Sequence, residues 1–347
     1  MVNMATFAAL LSSLTAEFKP FSWQHKCHGV KHLVLTVKRL IMSLSIGLSM
    51  SFISFWCVAL FSNAHVMVDL LLVNAVIQVT LFIVVACIPF LRTGRMSYVD
   101  IAWPFGVALI GILIILMADG DIVRKLVVAG VYLFIGLRMG IGALVMAKTT
   151  GVIFKSEFPR YQYRRMIIDK SGTENIKFHM LVEIMVQAFA NISVLALPGF
   201  IIASNNSHSI SPLEIIGICI WGTAYIFESI ADGQKMLFIS RNKQGVCNTG
   251  LWRYSRHPNY FAEWMVWTGL VIAAIPSWWA LSGAESTPVW IALGLGALNA
   301  SIMMYITLVY LTGATPAEYY SVRKRSEYKA YQEKTSVFFP WFPSKRL

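Results

Sequence analysis

The sequence predicts an all-α integral membrane protein: a polytopic bundle of about eight transmembrane helices with both termini in the cytoplasm. Of its 347 residues, 57% are hydrophobic and only 13% are charged, whereas about 25% are charged in an ordinary soluble domain. Its apolar residues fall into runs of about 20, the length of helix that crosses the hydrocarbon core of a bilayer. Its basic residues lie in alternate loops. Together these observations exclude a soluble enzyme, a disordered protein and an ordinary nucleic-acid-binding protein.

Eight apolar runs are long enough to be membrane spans. A bilayer leaves no partner for an open strand edge, so each run is predicted to be a helix. Polar clusters at 62–65, 204–208 and 282–284 mark turns between them. The predicted spans are 40–61, 66–91, 99–118, 124–147, 179–203, 211–231, 259–281 and 287–312.

The charge pattern orients these spans. Of the 29 Lys and Arg residues, 26 lie on one side of the membrane when eight spans alternate, and the positive-inside rule places that side in the cytoplasm. We therefore divide the chain into three parts. Residues 1–39 form a cytoplasmic or membrane-surface arm, 40–312 the transmembrane domain, and 313–347 a cytoplasmic tail that packs on the functional site. A multi-pass protein of the bacterial inner membrane is expected, or of the endoplasmic reticulum if the host is eukaryotic.

Several ionisable residues lie within or at the ends of predicted spans, where a charge is costly and marks function or pairing. Arg138 is the deepest and needs an anionic partner. Asp100, Glu228, Asp232 and Glu263 lie near the cytoplasmic ends of their helices. Because all five converge on one depth and one side, they predict a polar cavity that opens to the cytoplasm.

Glu228 and Asp232 have i,i+4 spacing and therefore share one helical face. A purely structural interpretation remains open for this pair, since Lys235 follows Asp232 by three residues and would form an ordinary ion pair at a helix end.

The loop at 250–264 carries the strongest chemical signal. Pro258 fits the first turn of the helix that starts the seventh span, and the free backbone N–H groups at that helix start favour an anion. Asn259 and Glu263 share one face of the same helix, which a purely structural basic collar would not require. The side chains that crowd the helix start are Arg253, Arg256 and His257, and arginine forks suit a phosphate or pyrophosphate.

Residues 252–263, Trp-Arg-Tyr-Ser-Arg-His-Pro-Asn-Tyr-Phe-Ala-Glu, resemble the C-terminal signature of the steroid 5-alpha-reductase-like superfamily, and most closely that of its uncharacterised bacterial branch. Two further segments resemble the same branch: 228–235, which precedes the signature, and 316–341 in the tail. The resemblance covers the chain from about residue 95 to its end. The first span and the arm look like an addition to a seven-helix core.

This resemblance implies a membrane reductase that binds NADPH in a cytoplasm-facing cavity. Hydride would pass to the beta carbon of a conjugated enone in a steroid-like or other lipid substrate, while an acid–tyrosine pair polarises the carbonyl oxygen. Membrane lipids are expected partners, nucleic acid is not, and no metal site is predicted. The implied cofactor-binding residues are Arg138, Arg160, Asp232, Arg253, Tyr254, Arg256, His257, Asn259, Tyr260, Glu263 and Arg323.

The resemblance places the catalytic carboxylate at Asp100, and a cytoplasmic lid motif at Arg160, Tyr161 and Tyr163. The chain departs from the pattern at Ile135, where the superfamily has the tyrosine of the acid–tyrosine pair. Tyr98 and Tyr132 are the predicted replacements.

No dinucleotide-binding fingerprint of the Rossmann type occurs. The glycines of Gly136-x-x-x-Gly140-x-Gly142 lie inside a span, where small residues let helices pack closely. Binding of a dinucleotide would therefore depend on helix ends and arginines.

Two other functions remain open. The first is an S-adenosylmethionine-dependent lipid or isoprenylcysteine-type membrane methyltransferase, since those enzymes share an Arg-His-Pro-x-Tyr loop and a tyrosine-rich tail. Asn259, Glu263 and Asp232 resemble the reductases more closely, and Glu318-Tyr319 replaces the Glu-Glu pair of the methyltransferases. The second is a lipid-binding or transport protein without catalysis, against which stands the absence of sequence repeats.

Overall fold

The computed structural model describes residues 46–170, 172 and 174–344. In this part of the chain every regular element is helical, which confirms the predicted all-α class. The helices are α1 (Ile46–Phe61), α2 (His65–Thr93), α3 (Val99–Met117), α4 (Ile122–Thr150), α5 (Pro159–Lys170), α6 (Ile176–Ala203), α7 (Pro212–Arg241), α8 (Pro258–Ala280), α9 (Thr287–Ile306), α10 (Ala314–Lys324) and α11 (Tyr328–Lys334).

Seven of these helices are long and apolar enough to cross a membrane: α2, α3, α4, α6, α7, α8 and α9. The first of the eight predicted spans corresponds to α1, which is shorter; residues 40–45 and the predicted arm 1–39 lie outside the described residues. The cytoplasmic placement of the termini stays a prediction.

Helix ends differ more from the prediction than helix positions do. The span predicted at 211–231 continues to Arg241, and the loop predicted at 148–178 contains α5. The tail contains α10 and α11. Hydropathy identifies only the lipid-facing length of a helix, so polar turns that project beyond the bilayer are missed.

An amide network connects α2, α3 and α6 in the middle of the bundle. A π-helical turn at Ala190–Val194 interrupts α6, and such a turn frees backbone carbonyls from the usual ladder. Asn74 donates to two of them, those of Asn191 and Ile192. The Asn191 side chain in turn donates to Gln78 and to the Trp103 carbonyl. These fully buried amides fix the register of three helices.

Glycines allow close helix contacts, as predicted for the span that contains them. A Cβ at Gly136 would lie 2.4 Å from the Ala108 nitrogen of α3, and one at Gly140 would lie 2.9 Å from the Phe105 ring. Gly142 has open space around it and plays no such part. Gly217 of α7 similarly approaches the Gly269 carbonyl of α8.

The two ends of the bundle differ. We call the end at which α7 finishes and α8 begins the signature end. At the opposite end, buried Arg124 of α4 makes a bidentate ion pair with Glu214 of α7, with its Nε 2.7 Å from Oε1 and its Nη2 3.0 Å from Oε2. Glu214 also completes a capping box with Ser211. This end is closed by structural contacts, so the candidate site lies at the signature end.

Candidate functional site

Two pairs of polar residues face each other where α7 packs on α8 at the signature end. Glu228 and Asp232 lie one turn apart on α7, and Asn259 and Glu263 lie one turn apart on α8. Asn259 Nδ2 donates to Asp232 Oδ1 at 3.1 Å, while Glu228 interacts with Glu263 one turn deeper. Both glutamates are buried. The helix pairing thus collects four predicted residues in one place.

Arg138 of α4 completes this group, which we call the polar cluster (Arg138, Glu228, Asp232, Asn259, Glu263). Its Nη2 lies 2.5 Å from Glu228 Oε1, and its charge also acts on Glu263. The other fixed contact of Glu263 comes from Trp267, whose Nε1 donates to Oε1 at 3.0 Å. The anionic partner that the sequence required for Arg138 is therefore Glu228.

Asp232 does not form the ordinary ion pair that was the structural alternative for this helix end. Its carboxylate accepts from Asn259, whereas the Lys235 ammonium lies 4.3 Å from the centroid of the Trp252 ring. Trp252 Nε1 donates to the Ala231 carbonyl at 2.9 Å and so fixes the loop against α7.

Arg256 clamps the signature loop (residues 250–258) to the tail. Its Nε lies 2.6 Å from Glu318 Oε1 and its Nη2 lies 3.2 Å from Oε2, a bidentate pair. Nη1 donates to the carbonyl oxygens of Gln332, at 2.9 Å, and Thr335. Since these acceptors already engage Nε, Nη1 and Nη2, the contacts of Arg256 are those of a structural clamp between α8 and α10.

His257 lies against the same carboxylate. Its Nε2 is 3.1 Å from Glu318 Oε1, and its ring stacks on Tyr260 with centroids 5.2 Å apart. Burial lowers the pKa of the His257 imidazole, although Glu318 acts in the opposite direction. The ring is therefore neutral at pH 7, and Nε2–H donates to the carboxylate.

Backbone hydrogen bonds attach the last residues of the tail to the signature loop. Arg256 N donates to the Ser336 carbonyl at 2.8 Å, and Trp341 N donates to the Tyr254 carbonyl at 2.9 Å. Ser255 Oγ donates to the Phe338 carbonyl at 2.8 Å. These three bonds hold the described part of the tail against the signature loop.

Asp100 and Arg160 form a second group beside the polar cluster. Arg160 Nη2 lies 2.6 Å from Asp100 Oδ1, and the Tyr161 hydroxyl donates to the same oxygen at 3.0 Å. Burial, followed by the Asp100 charge, raises the pKa of Tyr161, so its hydroxyl stays protonated. Arg160 also interacts electrostatically with Tyr260 of α8, which connects this group to the polar cluster.

Helix α5 covers the site from the signature end. Its Tyr163 ring packs edge-on against Tyr319 of α10, with centroids 4.8 Å apart. The Tyr319 hydroxyl lies against the Met166 sulfur, again on α5. Before α5, Glu157 accepts from the backbone nitrogens of Met96, at 2.8 Å, and Ser97, at 2.9 Å, and so caps the turn that leads into α3 and Asp100.

Five predicted site residues lie apart from these groups. The Tyr98 hydroxyl accepts from Arg95 at 3.1 Å. Tyr132 is fully buried, donates to the Leu195 carbonyl and accepts from Gly199 N at 3.1 Å. The remaining three lie on the outer surface of the signature end: Arg253 and Tyr254, which are exposed, and Arg323, whose guanidinium lies 3.4 Å from the centroid of the Tyr319 ring.

Three buried oxygens within these groups have no hydrogen-bond donor among the described residues. They are Asp100 Oδ2, Glu228 Oε2 and Asn259 Oδ1. Buried acceptors are nearly always satisfied, and leaving one unpaired costs about 1–3 kcal/mol. These oxygens are therefore available to donors from a bound molecule.

Sequence reasoning missed Glu157 and Glu318, which hold the site without belonging to the predicted site residues. Glu318 lies in the tail segment that carries the family resemblance. Its role follows only from its contacts with Arg256 and His257 in the structure. Glu157 lies in no motif, and no signal in the sequence identifies it.

The comparisons with known proteins identify a family but no activity. No curated protein and no solved structure matches the chain. A family model described as "Protein of unknown function (DUF1295)" matches residues 88–335, which include α3 to α10, the polar cluster, the Asp100 group and the signature loop. The chain is therefore a membrane protein of the DUF1295 family.

Proposed function

We propose that this protein is an integral-membrane reductase that uses NADPH to reduce a carbon–carbon double bond conjugated to a carbonyl in a lipid substrate. The polar cluster carries the proposal: two facing i,i+4 pairs on α7 and α8, with Arg138 and unsatisfied buried oxygens. The relation of the DUF1295 family to steroid 5-alpha-reductase-like proteins supports it.

The hydrogen-bonding groups of the polar cluster fit a dinucleotide. The carboxamide and the ribose hydroxyls of such a cofactor are hydrogen-bond donors, and Asn259 Oδ1 and Glu228 Oε2 are buried acceptors without a donor from the described residues. Asp232 and Glu263 offer further carboxylate oxygens. For the phosphates, Arg253 is exposed at the same end of the bundle and makes no ion pair with any described residue, and Arg323 is also exposed at that end. Arg256 and His257 hold the loop in place.

When bound, the cofactor supplies the hydride. The chain's own part is to hold the substrate carbonyl and provide a proton. We assign the acid–tyrosine pair to Asp100 and Tyr161 because these two share a hydrogen bond, whereas the Tyr98 hydroxyl lies against Arg95 and the Tyr132 hydroxyl donates to the Leu195 carbonyl. When the substrate binds, the Tyr161 O–H would turn from Asp100 Oδ1 to the carbonyl oxygen and give its proton to the enolate that hydride addition forms, while Arg160 balances the charge of Asp100.

The deciding experiment is thermal unfolding of the purified protein in detergent with NADPH or with S-adenosylmethionine. A ligand at 100 times its Kd stabilises the folded state by about 2.7 kcal/mol. We expect stabilisation by NADPH and none by S-adenosylmethionine. Stabilisation by S-adenosylmethionine alone would favour a methyltransferase and overturn the proposal, and stabilisation by neither would favour a protein without this chemistry.

A further inference from the structure

Helices α4 and α7 do not pack against each other along their length, although both contribute to the polar cluster. Helix α7 packs instead on α8, where Gly217 meets Gly269. Only 22% of the residues in the apolar stretch of α7 are buried. Long side chains bridge the space between α4 and α7. We call this space the α4–α7 seam, bounded by Phe134 and Arg138 on α4 and by Trp221, Tyr225 and Glu228 on α7.

Three aromatic rings fill the seam on its lipid side. The Phe134 ring lies 4.6 Å from the Tyr225 ring and 5.9 Å from the Trp221 ring, centroid to centroid. Behind them the Arg138 guanidinium lies 4.7 Å from the Tyr225 centroid and pairs with Glu228. Phe134 is 42% exposed, and in a membrane that exposed surface meets lipid chains. The seam therefore leads from the bilayer to the polar cluster through aromatic side chains alone.

The seam lies inside the hydrocarbon core. Counted from Pro212 at about 1.5 Å per residue, Trp221 is about 14 Å and Glu228 about 24 Å along α7, within a core that is about 30 Å thick. On the lipid side of the bundle at this depth, a hydrogen-bonding group needs a partner from the protein or from a molecule dissolved in the membrane.

Trp221 carries such a group. Its Nε1–H is buried and has no acceptor among the described residues, although a buried indole N–H usually finds one. The ring itself is fixed by stacking on Tyr225, with centroids 6.3 Å apart and planes inclined by 17°. An immobile donor in an apolar entrance suits a ligand that is apolar along its length and carries one acceptor, such as a carbonyl oxygen.

We propose that the α4–α7 seam is the lateral entrance through which a membrane-dissolved lipid carbonyl compound reaches the candidate site at the signature end, and that the Trp221 indole N–H donates a hydrogen bond to its carbonyl during entry. This inference rests on the proposed reductase function for the fate of the ligand, but not for its binding.

An apolar cavity elsewhere in the bundle makes the proposal testable. A cavity of about 420 Å³ lies between α2, α3 and α4, and its lining includes Leu81, Ile101, Phe105 and Leu133. It is lined by apolar residues only, with no donor to select a carbonyl. A lipid chain that binds without selection would occupy this cavity as readily as the seam.

The test is photolabelling of the full-length protein in lipid nanodiscs without NADPH. The probe is a long-chain enone with a diazirine in its alkyl chain and a terminal alkyne, and its carbonyl-free hydrocarbon analogue is the matched control. Peptide mapping should place the enone label on the α4 and α7 residues of the seam. Trp221→Phe keeps the aromatic bulk and removes the donor, so it should reduce enone labelling roughly threefold to tenfold and leave hydrocarbon labelling unchanged.

Trp279→Phe is the control substitution, because Trp279 is exposed on α8 at the opposite end, and it should change neither label. Enone labelling confined to the α2–α3–α4 cavity of the unsubstituted protein would overturn the entrance, as would equal labelling of Trp221→Phe and the unsubstituted protein. Because no cofactor is present, the outcome is separate from that of the NADPH experiment: seam labelling without NADPH binding would retain the entrance and remove the reductase.

Discussion

The Tyr161 hydroxyl donates a hydrogen bond to Asp100, with 3.0 Å between the tyrosine oxygen and Oδ1. If this pair handles the substrate carbonyl, Tyr161→Phe should lower kcat for NADPH-dependent reduction of a long-chain enone about 100-fold or more. Stabilisation by NADPH should remain, because the ring still packs. Tyr163→Phe is the control, since Tyr163 packs on Tyr319. Full activity of Tyr161→Phe alongside an inactive Tyr98→Phe or Tyr132→Phe would assign the role to that other tyrosine.

Asn259→Ala and Glu263→Ala should each reduce the stabilisation by NADPH without unfolding the protein, because both remove acceptors from the polar cluster. The measurement is the shift in unfolding temperature as NADPH is titrated. Asn299→Ala is matched to the first substitution: Asn299 is a buried amide that donates to Gly47 of α1, so its NADPH response should be unchanged. If both cluster variants respond to NADPH as strongly as the unsubstituted protein, the cofactor site lies elsewhere.

Glu318→Gln should destabilise the fold by about 3–5 kcal/mol, because it leaves the Arg256 guanidinium without its bidentate partner in a largely buried site. The free energy of unfolding from denaturant titration measures this. Glu333→Gln makes the same change at an exposed position of α11. Substitutions at such positions usually change the free energy of unfolding by no more than about 0.5 kcal/mol. Equal stability of the two variants would remove the clamp role of Arg256 and leave it available for phosphate.

The His257 contact predicts a pH dependence. Burial lowers the pKa of this imidazole below its ordinary value of about 6.5, so below that pH the unfolded chain binds the proton more readily than the folded protein. Stability should therefore fall as the pH drops through about 6.5 and hold above it. His257→Gln should flatten this part of the profile. An identical slope in His257→Gln would show that other groups cause the loss.

Gly136→Ala should destabilise the protein by about 1–3 kcal/mol, because a Cβ there meets the backbone of α3 at 2.4 Å and overpacking forces the helices apart. Gly142→Ala, on the same helix, meets open space and should be neutral or slightly stabilising. Thermal unfolding in detergent compares the two. A neutral Gly136→Ala would mean that α3 and α4 separate easily.

The sequence predicted the helices of the bundle well because bilayer thickness fixes the length of an apolar run, and this information is local. The sequence also indicated that Glu228, Asp232, Asn259 and Glu263 lie at one end of the bundle. Each i,i+4 pair shares one helical face, and the two pairs lie where one span ends and the next begins. Where α7 ends could not be predicted, because the polar stretch 232–235 resembles the start of a loop, although the apolar residues 236–239 continue the helix to Arg241.

The partners of the arginines were beyond prediction. Arg256 and Glu318 are separated by 62 positions, and their meeting depends on how a short tail helix docks, which no periodicity encodes. The same is true of Tyr161 and Asp100, 61 positions apart. The sequence offered Tyr98 and Tyr132 for their closeness to Asp100 and Ile135, and both stay predictions, whereas our proposal gives the role to Tyr161, which lies on α5.

The contacts of the Glu157 carboxylate affect the rate at which α5 can move away from the site. It caps the turn before α3 through Met96 and Ser97 and lies immediately before α5, so the cover and the acid beneath it share one anchor. Lifting α5 far enough to exchange a bound molecule must strip two backbone N–H groups of their acceptor and break the contact between Arg160 and Asp100. Such an opening belongs to the microsecond-to-millisecond range of loop gating rather than to side-chain motion, and in the proposed reductase ligand release would then limit turnover.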